Sequence, residues 1–361
     1  MRRAVVIACG LLAHACAGQV LLQNARLGRV ACVDYPAFVI TAPQAYQVVQ
    51  RSGTSADIRI SGYVTSGSHS VEARWRGGDW ITIAGNVRGA FSGALTNQSQ
   101  GDGDLELRYA DARWQGITVS NVGIGDVYVI AGQSNAMGPG PSNQTNAWGL
   151  SHLFTKVYTW GPHGDPTDSS QLGATDAVAL NNLSGAGGSM WPLLAGHFAT
   201  NGLGLPIAFV PCAKDGSSSA QWLPNGGPTN RSSLYGSMVW RAKYAVGGVK
   251  AVLWWQGEYE AVSFAYQWYY YSNFTRFSSN VMADMGVKVM PCKLQHCTGI
   301  LDADQNSVNA AIAQAWAEDS NTLRGPDLTG LTSDDTVHLK SDANLSAAGA
   351  LWWEALKAAF Y

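Results

Sequence analysis

The sequence predicts an α/β domain with a parallel sheet, preceded by an all-β, sandwich-like region. Before about residue 122, short strand patterns follow one another between Gly and Asn turns, which is typical of β-sandwiches. From residue 126 onward, apolar runs alternate with longer amphipathic stretches, which indicates parallel strands with helices on both faces of the sheet. We therefore expect three segments, residues 1–17, 18–122 and 123–361.

The composition excludes several classes of function. The chain has 361 residues with 23 Lys and Arg against 25 Asp and Glu, so its formal net charge is only −2. No basic patch favours a nucleic-acid partner, and no acidic run favours a disordered tail. Trp and Tyr are abundant, with 14 of each. Aromatic rings suit the C–H faces of sugars, although a large aromatic core explains most of them.

Residues 1–17 have the pattern of a secretory signal peptide. Arg2 and Arg3 form a basic start, residues 4–12 form a short apolar run, and Ala15-Cys16-Ala17 fits a cleavage site. A lipid-modified Cys16 is the alternative. The run is too short for a permanent membrane span, and no later stretch is long enough for one. We expect a secreted or periplasmic protein without a membrane span.

Four cysteines remain after residue 17. Cys292 and Cys297 bracket four residues and could close a small disulfide loop, as an exported protein allows. Cys212 and Cys292 each end a predicted strand, so they could instead be buried thiols. No Cys and His spacing resembles a zinc site. The sequence therefore predicts neither a metal nor another cofactor.

The β region contains seven short strand candidates. It could bind carbohydrate or serve only a structural role, and the structural role is favoured because many fused sandwiches bind no ligand. The candidates are residues 37–40, 47–49, 58–64, 70–75, 80–83, 90–94 and 105–109.

The second region alternates strands and helices over most of its length. About five strands and five longer helices fit an open parallel sheet covered on both faces. The predicted strands are residues 127–131, 156–160, 207–212, 249–255 and 287–293, and the predicted helices are residues 191–200, 234–246, 261–285, 307–319 and 346–360.

A serine follows the first strand of this sheet. Residues 127–138 read VYVIAGQSNAMG, and the apolar run breaks at Gly132, two residues before Ser134. A glycine there permits a sharp turn that lifts the hydroxyl out of the sheet. Open α/β sheets carry their sites just beyond the carboxyl ends of the strands. Ser134 is therefore a candidate nucleophile, although an ordinary polar loop would give the same pattern.

Two further stretches supply the partners of such a serine. Residues 252–258 read VLWWQGE, again an apolar run that ends in polar groups. Residues 334–339 read DDTVHL, in which Asp335 and His338 are three apart and can meet within one turn. A serine, a histidine and an acid can form a nucleophile, its base and the group that orients the base.

These three motifs, in this order, resemble the SGNH-type carbohydrate esterases of the sialate O-acetylesterase and acetylxylan esterase group. GQSN, WWQGE and DxxH carry the resemblance, which runs from about residue 125 to the C-terminus. It implies a three-layer α/β/α domain and removal of O-acetyl groups from a carbohydrate. It also implies that the Gln256 side-chain amide donates to the oxyanion.

The resemblance leaves the rest of the oxyanion hole open. The family has two glycines after the next strand, whereas this chain has Asp215 before Gly216. We expect the backbone N–H groups of Ser134 and Gly216 to be donors, with Gly188 as the alternative to Gly216. The substrate-binding candidates are Asn135, Trp222 and Tyr259.

The sequence allows other assignments of the acid and other functions. Glu258 could support the site or replace Asp335 as the acid of the triad, and Asp334 is a less well spaced competitor. A lipid or aryl esterase of the wider SGNH group is one functional alternative. A non-catalytic carbohydrate-binding protein on the same fold is another. The sugar, the acetylated position and the oligomeric state are not specified by the sequence.

Overall fold

The structure, a computed structural model, describes residues 19–20, 33–34, 38–138, 157–160, 174–176, 190–201, 203–263 and 266–361. The expected signal peptide, residues 1–17, lies outside this part of the chain. The chain divides into two compact units, and one of the boundaries between them falls after Val122. Tyr46–Ser55 and Ser99–Asp102, however, group with the second unit rather than the first. The two units are therefore not simple consecutive segments.

The strands of both units are numbered together along the chain. The first unit contains mainly antiparallel strands, and β8 continues from it into the second unit. The strands are β1 (Gln19–Val20), β2 (Val33–Asp34), β3 (Phe38–Ala42), β4 (Val48–Gln50), β5 (Ser55–Trp75), β6 (Ile81–Ser99), β7 (Gly101–Tyr109), β8 (Gly116–Gly132), β9 (Val157–Trp160), β10 (Ala174–Asp176), β11 (Ile207–Pro211), β12 (Ala251–Trp255) and β13 (Lys288–Pro291).

The first unit is all-β, but its strands are longer than the seven short ones expected. β5 pairs with β3 and β7 in antiparallel fashion and also pairs with β6. β5 alone covers the two predicted strands at residues 58–64 and 70–75. Gly62 lies inside β5, and the close approach of β3 requires a glycine there, because a Cβ would overlap the backbone oxygen of Val39. Gly67, which lies between the two predicted strands and has φ +74°, is also inside β5, so the turn expected there is absent from this strand.

The second unit contains the predicted parallel sheet. β11 and β12 flank β8 on either side, β9 lies beyond β11, and β13 lies beyond β12. The order of the five parallel strands is therefore β9-β11-β8-β12-β13, and β10 pairs antiparallel with β9 at one edge. β8, β11 and β12 are fully buried within this unit, which explains their unbroken apolar sequences.

Helices cover both faces of this sheet. On one face, Tyr128 contacts Phe198 and Phe209 contacts Trp191, both on α2 (Trp191–Thr200). On the other face, Trp254 contacts Phe274 and Phe277 on α5 (Gln267–Met285). Contacts also join α2 to α7 and α5 to α6. The result is the expected three-layer arrangement. The helices are α1 (Ser134–Met137), α2 (Trp191–Thr200), α3 (Leu234–Val239), α4 (Glu258–Val262), α5 (Gln267–Met285), α6 (Asp302–Glu318) and α7 (Asp342–Phe360), with a 3₁₀ turn at Ser219–Trp222 and a π-helical turn at Trp240–Ala245.

Three cysteines of the second unit are buried thiols. Cys212, Cys292 and Cys297 are free, so the disulfide alternative for the last two is not realised. Burial raises the pKa of the Cys212 thiol to about 12. A thiol with so high a pKa carries almost no thiolate at neutral pH, which makes it a packing group rather than a nucleophile.

Candidate active site

Ser134 lies at the sharp turn between β8 and α1. Gly132 has φ +125°, and a Cβ there would overlap the backbone of Trp255 on the neighbouring strand. The backbone N–H of Gln133 donates to the Trp255 carbonyl oxygen at 2.9 Å. Only glycine fits this turn, because both its backbone conformation and the close strand exclude a side chain. The turn leaves Ser134 as the first residue of α1, beyond the carboxyl end of the central strand.

The imidazole of His338 joins Ser134 to Asp335. His338 Nε2 lies 2.9 Å from Ser134 Oγ, and His338 Nδ1 lies 3.0 Å from Asp335 Oδ2. An ionised carboxylate only accepts hydrogen bonds, so Nδ1 carries the proton and Nε2 is free to accept from the hydroxyl. The three side chains therefore form a continuous Ser-His-Asp arrangement, which has the geometry that a nucleophile, its base and an orienting acid require.

Asp335 is held as a carboxylate by four donors. The backbone N–H groups of Val337 and His338 donate to Oδ1 at 2.8 and 2.7 Å, and Lys340 Nζ lies 2.6 Å from Oδ2. Partial burial works to raise the pKa of Asp335, but the bonds from Lys340, the two backbone groups and the imidazole outweigh it. The pKa of Asp335 consequently lies well below its ordinary value, and the group is charged at neutral pH.

Glu258, the competing acid, lies behind the site and has no hydrogen bond to His338. Its Oε1 accepts from Asn135 Nδ2 at 2.6 Å and from Gln295 Nε2 at 3.4 Å. Both amides also donate to the carbonyl oxygen of Val337, the residue before His338. Burial raises the pKa of Glu258, although these hydrogen bonds oppose the shift. Of the two acids, Asp335 contacts the imidazole, and Glu258 supports the loop that carries it through Asn135 and Gln295.

Two backbone N–H groups of this region have no hydrogen-bond acceptor in the part of the chain that the structure describes. Neither Ser134 N nor Gly216 N donates to an acceptor within the described residues. The turn that carries Gly216 lies against the end of β8, because Lys214 N and Ser217 Oγ both bond to the Gly132 carbonyl oxygen. Gly188, the alternative donor, lies outside the described residues.

Gln256 has a different role from the one its motif implies. Its Nε2 lies 2.5 Å from Glu260 Oε2, 3.2 Å from the Ser217 carbonyl oxygen and 3.3 Å from Gln133 Oε1. The side chain has no exposed surface. An amide nitrogen with two hydrogens and three acceptors has none left for an oxyanion. Gln256, the expected oxyanion donor, therefore connects Gln133, Ser217 and Glu260 by hydrogen bonds instead.

Comparison with known protein families identifies the second unit. The model of the family "Carbohydrate esterase, sialic acid-specific acetylesterase" matches residues 124–356, which is more than half of the chain. The chain belongs to this family of carbohydrate esterases. It is thus a carbohydrate O-acetylesterase, and the resemblance that the three motifs indicated is confirmed.

Solved structures with similar folds include a carbohydrate acetylesterase, XAC1771 from Xanthomonas citri. It is 18% identical to this esterase, with a TM-score of 0.63, over 88% of this chain and 74% of the other. A protein from Arabidopsis thaliana is 20% identical over 66% and 99% of the two chains, with a TM-score of 0.47. NanS is 16% identical over 65% and 97%, with a TM-score of 0.43. A comparison with curated protein sequences found no match.

Two of the three expected substrate-binding residues of the esterase serve its interior instead. Trp222 has no exposed surface, donates from Nε1 to Ser217 Oγ at 2.9 Å and packs edge-on against Trp254. The Asn135 amide nitrogen donates to Glu258 and to the Val337 carbonyl oxygen, and the amide oxygen accepts from the backbone N–H of Leu339. The expectation for these two residues is corrected, because neither has a free surface or donor for a sugar. Tyr259, by contrast, is 43% exposed.

Glu260 and Gln133 hold the loops around Ser134 in position. The sequence indicated no role for Glu260. Glu260 is buried and accepts from the backbone N–H of Ser219 at 2.5 Å as well as from Gln256. Gln133 Oε1 accepts from the backbone N–H of Tyr259 at 3.0 Å. Glu260 stands two residues after the WWQGE motif, at a position that reads like a solvent-exposed helix start. Among the described residues, no cluster of three His, Cys, Asp or Glu could hold a metal ion.

Proposed function

We propose that this esterase is exported and removes O-acetyl groups through a covalent acetyl intermediate on Ser134. One observation carries the proposal. Ser134 Oγ, His338 and Asp335 form a continuous chain of hydrogen bonds of 2.9 and 3.0 Å at the carboxyl end of the central strand. This geometry is what a weak hydroxyl nucleophile needs, since a base must take its proton as it attacks.

In the first step, Ser134 Oγ attacks the acetyl carbonyl carbon and its proton passes to His338 Nε2. The imidazole becomes positively charged, and the adjacent carboxylate of Asp335 stabilises that charge. The carbonyl oxygen becomes an oxyanion. The backbone N–H groups of Ser134 and Gly216 are the proposed donors to it, because both lack acceptors within the described residues.

The tetrahedral intermediate then collapses. The bond between the acetyl carbon and the sugar oxygen breaks, and His338 returns its proton to that oxygen, so the sugar leaves with a free hydroxyl. Water attacks the acetyl-serine in the second half of the reaction, with His338 again acting as base. Acetate leaves, and Ser134 recovers its proton. Each step uses only the three side chains, the backbone donors and water.

Export is proposed from residues 1–17, whose basic start, apolar run and cleavage site resemble a signal peptide. Within the described residues, none of the helices has the length and apolar character to cross a membrane. N-terminal sequencing of the protein recovered from the medium or periplasm of an expressing culture tests this. A mature chain that begins at Gly18 is expected, and an intact N-terminus on a cell-retained protein contradicts export.

Acetate release tests the catalytic proposal. The wild type, Ser134→Ala and the matched control Ser272→Ala are incubated with acetylated xylan, acetylated pectin and O-acetylated sialic acid. Ser272 is exposed on α5. The wild type and Ser272→Ala should release acetate from at least one substrate, and Ser134→Ala should release none above background at an unchanged melting temperature. A folded Ser134→Ala protein with wild-type activity would show that another group is the nucleophile.

A further inference from the structure

Four exposed aromatic rings lie together at the start of α4 and α5. Tyr259, Tyr266, Trp268 and Tyr269 are 43%, 65%, 67% and 38% exposed. With Ser218, Glu260 and Ser263 they line an open cavity of about 540 Å³, which we call the aromatic cleft. That volume falls within the range of about 300–1,000 Å³ found for small-molecule sites. An exposed cluster of large rings is unusual on a soluble protein and indicates a binding surface.

The rings of the aromatic cleft lie in two orientations. The planes of Tyr266 and Trp268 differ by only 17°, with centroids 6.2 Å apart, so their faces are nearly parallel. Tyr269 stands almost perpendicular to Trp268, with an interplanar angle of 88°. Exposed rings in these two orientations can stack against the C–H faces of a pyranose ring. The hydroxyls of Ser218 and Ser263 supply hydrogen bonds at the edges of the cleft.

The aromatic cleft is joined to the nucleophile by short polar contacts. The backbone N–H of Tyr259 donates to Gln133 Oε1 at 3.0 Å, and Gln133 directly precedes Ser134. Glu260, which lines the cleft, accepts from Gln256, and Gln256 in turn donates to Gln133. The wall of the cleft and the catalytic turn are thus held by the same side chains. The cleft therefore shares its supporting hydrogen bonds with the turn that carries Ser134, which makes it a candidate subsite for the same substrate.

The charge of the aromatic cleft selects among carbohydrates. Its described lining contains no Lys or Arg, and its one ionisable carboxyl group belongs to Glu260. A sialic acid carries a carboxylate that requires a cationic or strongly donating partner on binding. A neutral pyranose requires only aromatic faces for its C–H groups and a few hydroxyl partners. The lining therefore favours uncharged sugars.

We propose that the aromatic cleft binds neutral sugar units that flank the acetylated residue of a polysaccharide, with Trp268 as the principal stacking ring. This inference rests on the proposed function, because it assigns the substrate class of the same esterase site. It makes the enzyme a polysaccharide deacetylase in preference to an enzyme for free sialic acids. Trp268 is the anchor because it is the largest ring in the cleft and two-thirds of it is exposed.

The test compares a polymer with a small ester for each variant. The catalytic efficiency kcat/KM is measured on acetylated xylan, acetylated glucomannan, O-acetylated sialic acid and p-nitrophenyl acetate. Trp268→Ala should lower the polymer-to-small-ester ratio about tenfold, mainly through KM. Trp268→Phe should restore most of it, because a stacking face remains. The matched control is Trp114→Ala, an 80% exposed tryptophan of the first unit that is not part of the cleft, and its ratio should equal that of the wild type.

The outcomes separate this inference from the proposed function. A wild type that hydrolyses none of the four esters contradicts the proposed function itself. A wild type that hydrolyses the small ester and sialic acid, but neither neutral polymer, overturns the cleft assignment alone. The same holds if Trp268→Ala leaves the ratio unchanged, or if Trp114→Ala lowers it equally. Direct titration of Ser134→Ala with xylohexaose adds a binding measurement free of turnover, in which the Ser134→Ala/Trp268→Ala double variant should bind at least tenfold more weakly.

Discussion

Replacing Asp335 by Asn should disable the esterase while preserving its fold. The Asn carbonyl oxygen can replace Oδ1 and still accept from the backbone N–H groups of Val337 and His338. The Asn NH₂ group then faces His338 Nδ1, where the carboxylate oxygen stood at 3.0 Å. Two donors cannot bond to each other, so the imidazole must move its proton to Nε2. Nε2 can then no longer accept the proton of Ser134.

The size of the effect follows from the lost base. In a Ser-His-Asp triad the same change lowers kcat by about 10⁴. Asp335 also has a bond of 2.6 Å to Lys340, which the amide cannot keep as an ion pair. We therefore expect kcat to fall about 10³- to 10⁴-fold, which corresponds to about 4 to 5.5 kcal/mol of transition-state stabilisation.

The assay is hydrolysis of p-nitrophenyl acetate under saturating conditions, with the melting temperature measured on the same samples. Asp334→Asn is the matched control, because it makes the same chemical change one residue earlier. Asp334 accepts from the backbone N–H groups of Lys340 and Ser341 and from the side chains of Ser341 and Asn344, and it has no hydrogen bond to the imidazole. It should keep kcat within a few-fold of wild type. A loss of less than tenfold in Asp335→Asn, or an equal loss in Asp334→Asn, would refute the assignment of Asp335 as the orienting acid.

Three further predictions concern Glu258, Trp222 and Asp334. Glu258→Gln should lower kcat far less than Asp335→Asn, because an amide can still bond to Asn135; the reverse order in the same assay would move the acid to Glu258. Trp222→Ala should lower the free energy of unfolding by about 3 to 5 kcal/mol in urea titrations, since the ring is fully buried; unchanged stability with a raised KM would restore its sugar-binding role. Two backbone N–H bonds outweigh the effect of burial and lower the pKa of Asp334 from 3.8 to about 2, so its contribution to stability is present above pH 4 and lost as the pH falls to about 2. The stability difference between wild type and Asp334→Asn should therefore vanish over that window, and a difference independent of pH contradicts this.

The parallel sheet could be predicted because its strands are buried on both faces. β8, β11 and β12 lie in the middle of the sheet, and burial on both sides requires unbroken apolar sequence. The first unit was harder, because its glycines have two roles that look alike in sequence. Gly77 follows β5 at a turn with φ +68°, whereas Gly67, with φ +74°, lies inside that strand between the two predicted ones. Only the partner strand distinguishes the two.

The side chains near Ser134 likewise divide into those that local spacing predicts and those whose positions depend on tertiary contacts. Asp335 and His338 are three residues apart, so the turn that joins them is a local feature that spacing can predict. Gln256 and Trp222 owe their positions to partners from distant parts of the chain, which no local pattern reveals. Gln256 contacts the Gln133 side chain and the Ser217 carbonyl oxygen, and Trp222 packs on β12 and α5. Their motifs were recognisable, but their burial depends on tertiary contacts.

The most direct test of the account is to trap the acetyl-enzyme. The esterase is mixed rapidly with p-nitrophenyl acetate, quenched in acid within the first turnovers, digested and examined by tandem mass spectrometry. We expect one acetyl group on Ser134 in the wild type. In a His338→Ala variant the acetyl group should accumulate on Ser134 at a greatly reduced rate. An acetyl group on a different side chain, or acetate release with no trapped intermediate and an unmodified Ser134, would contradict it.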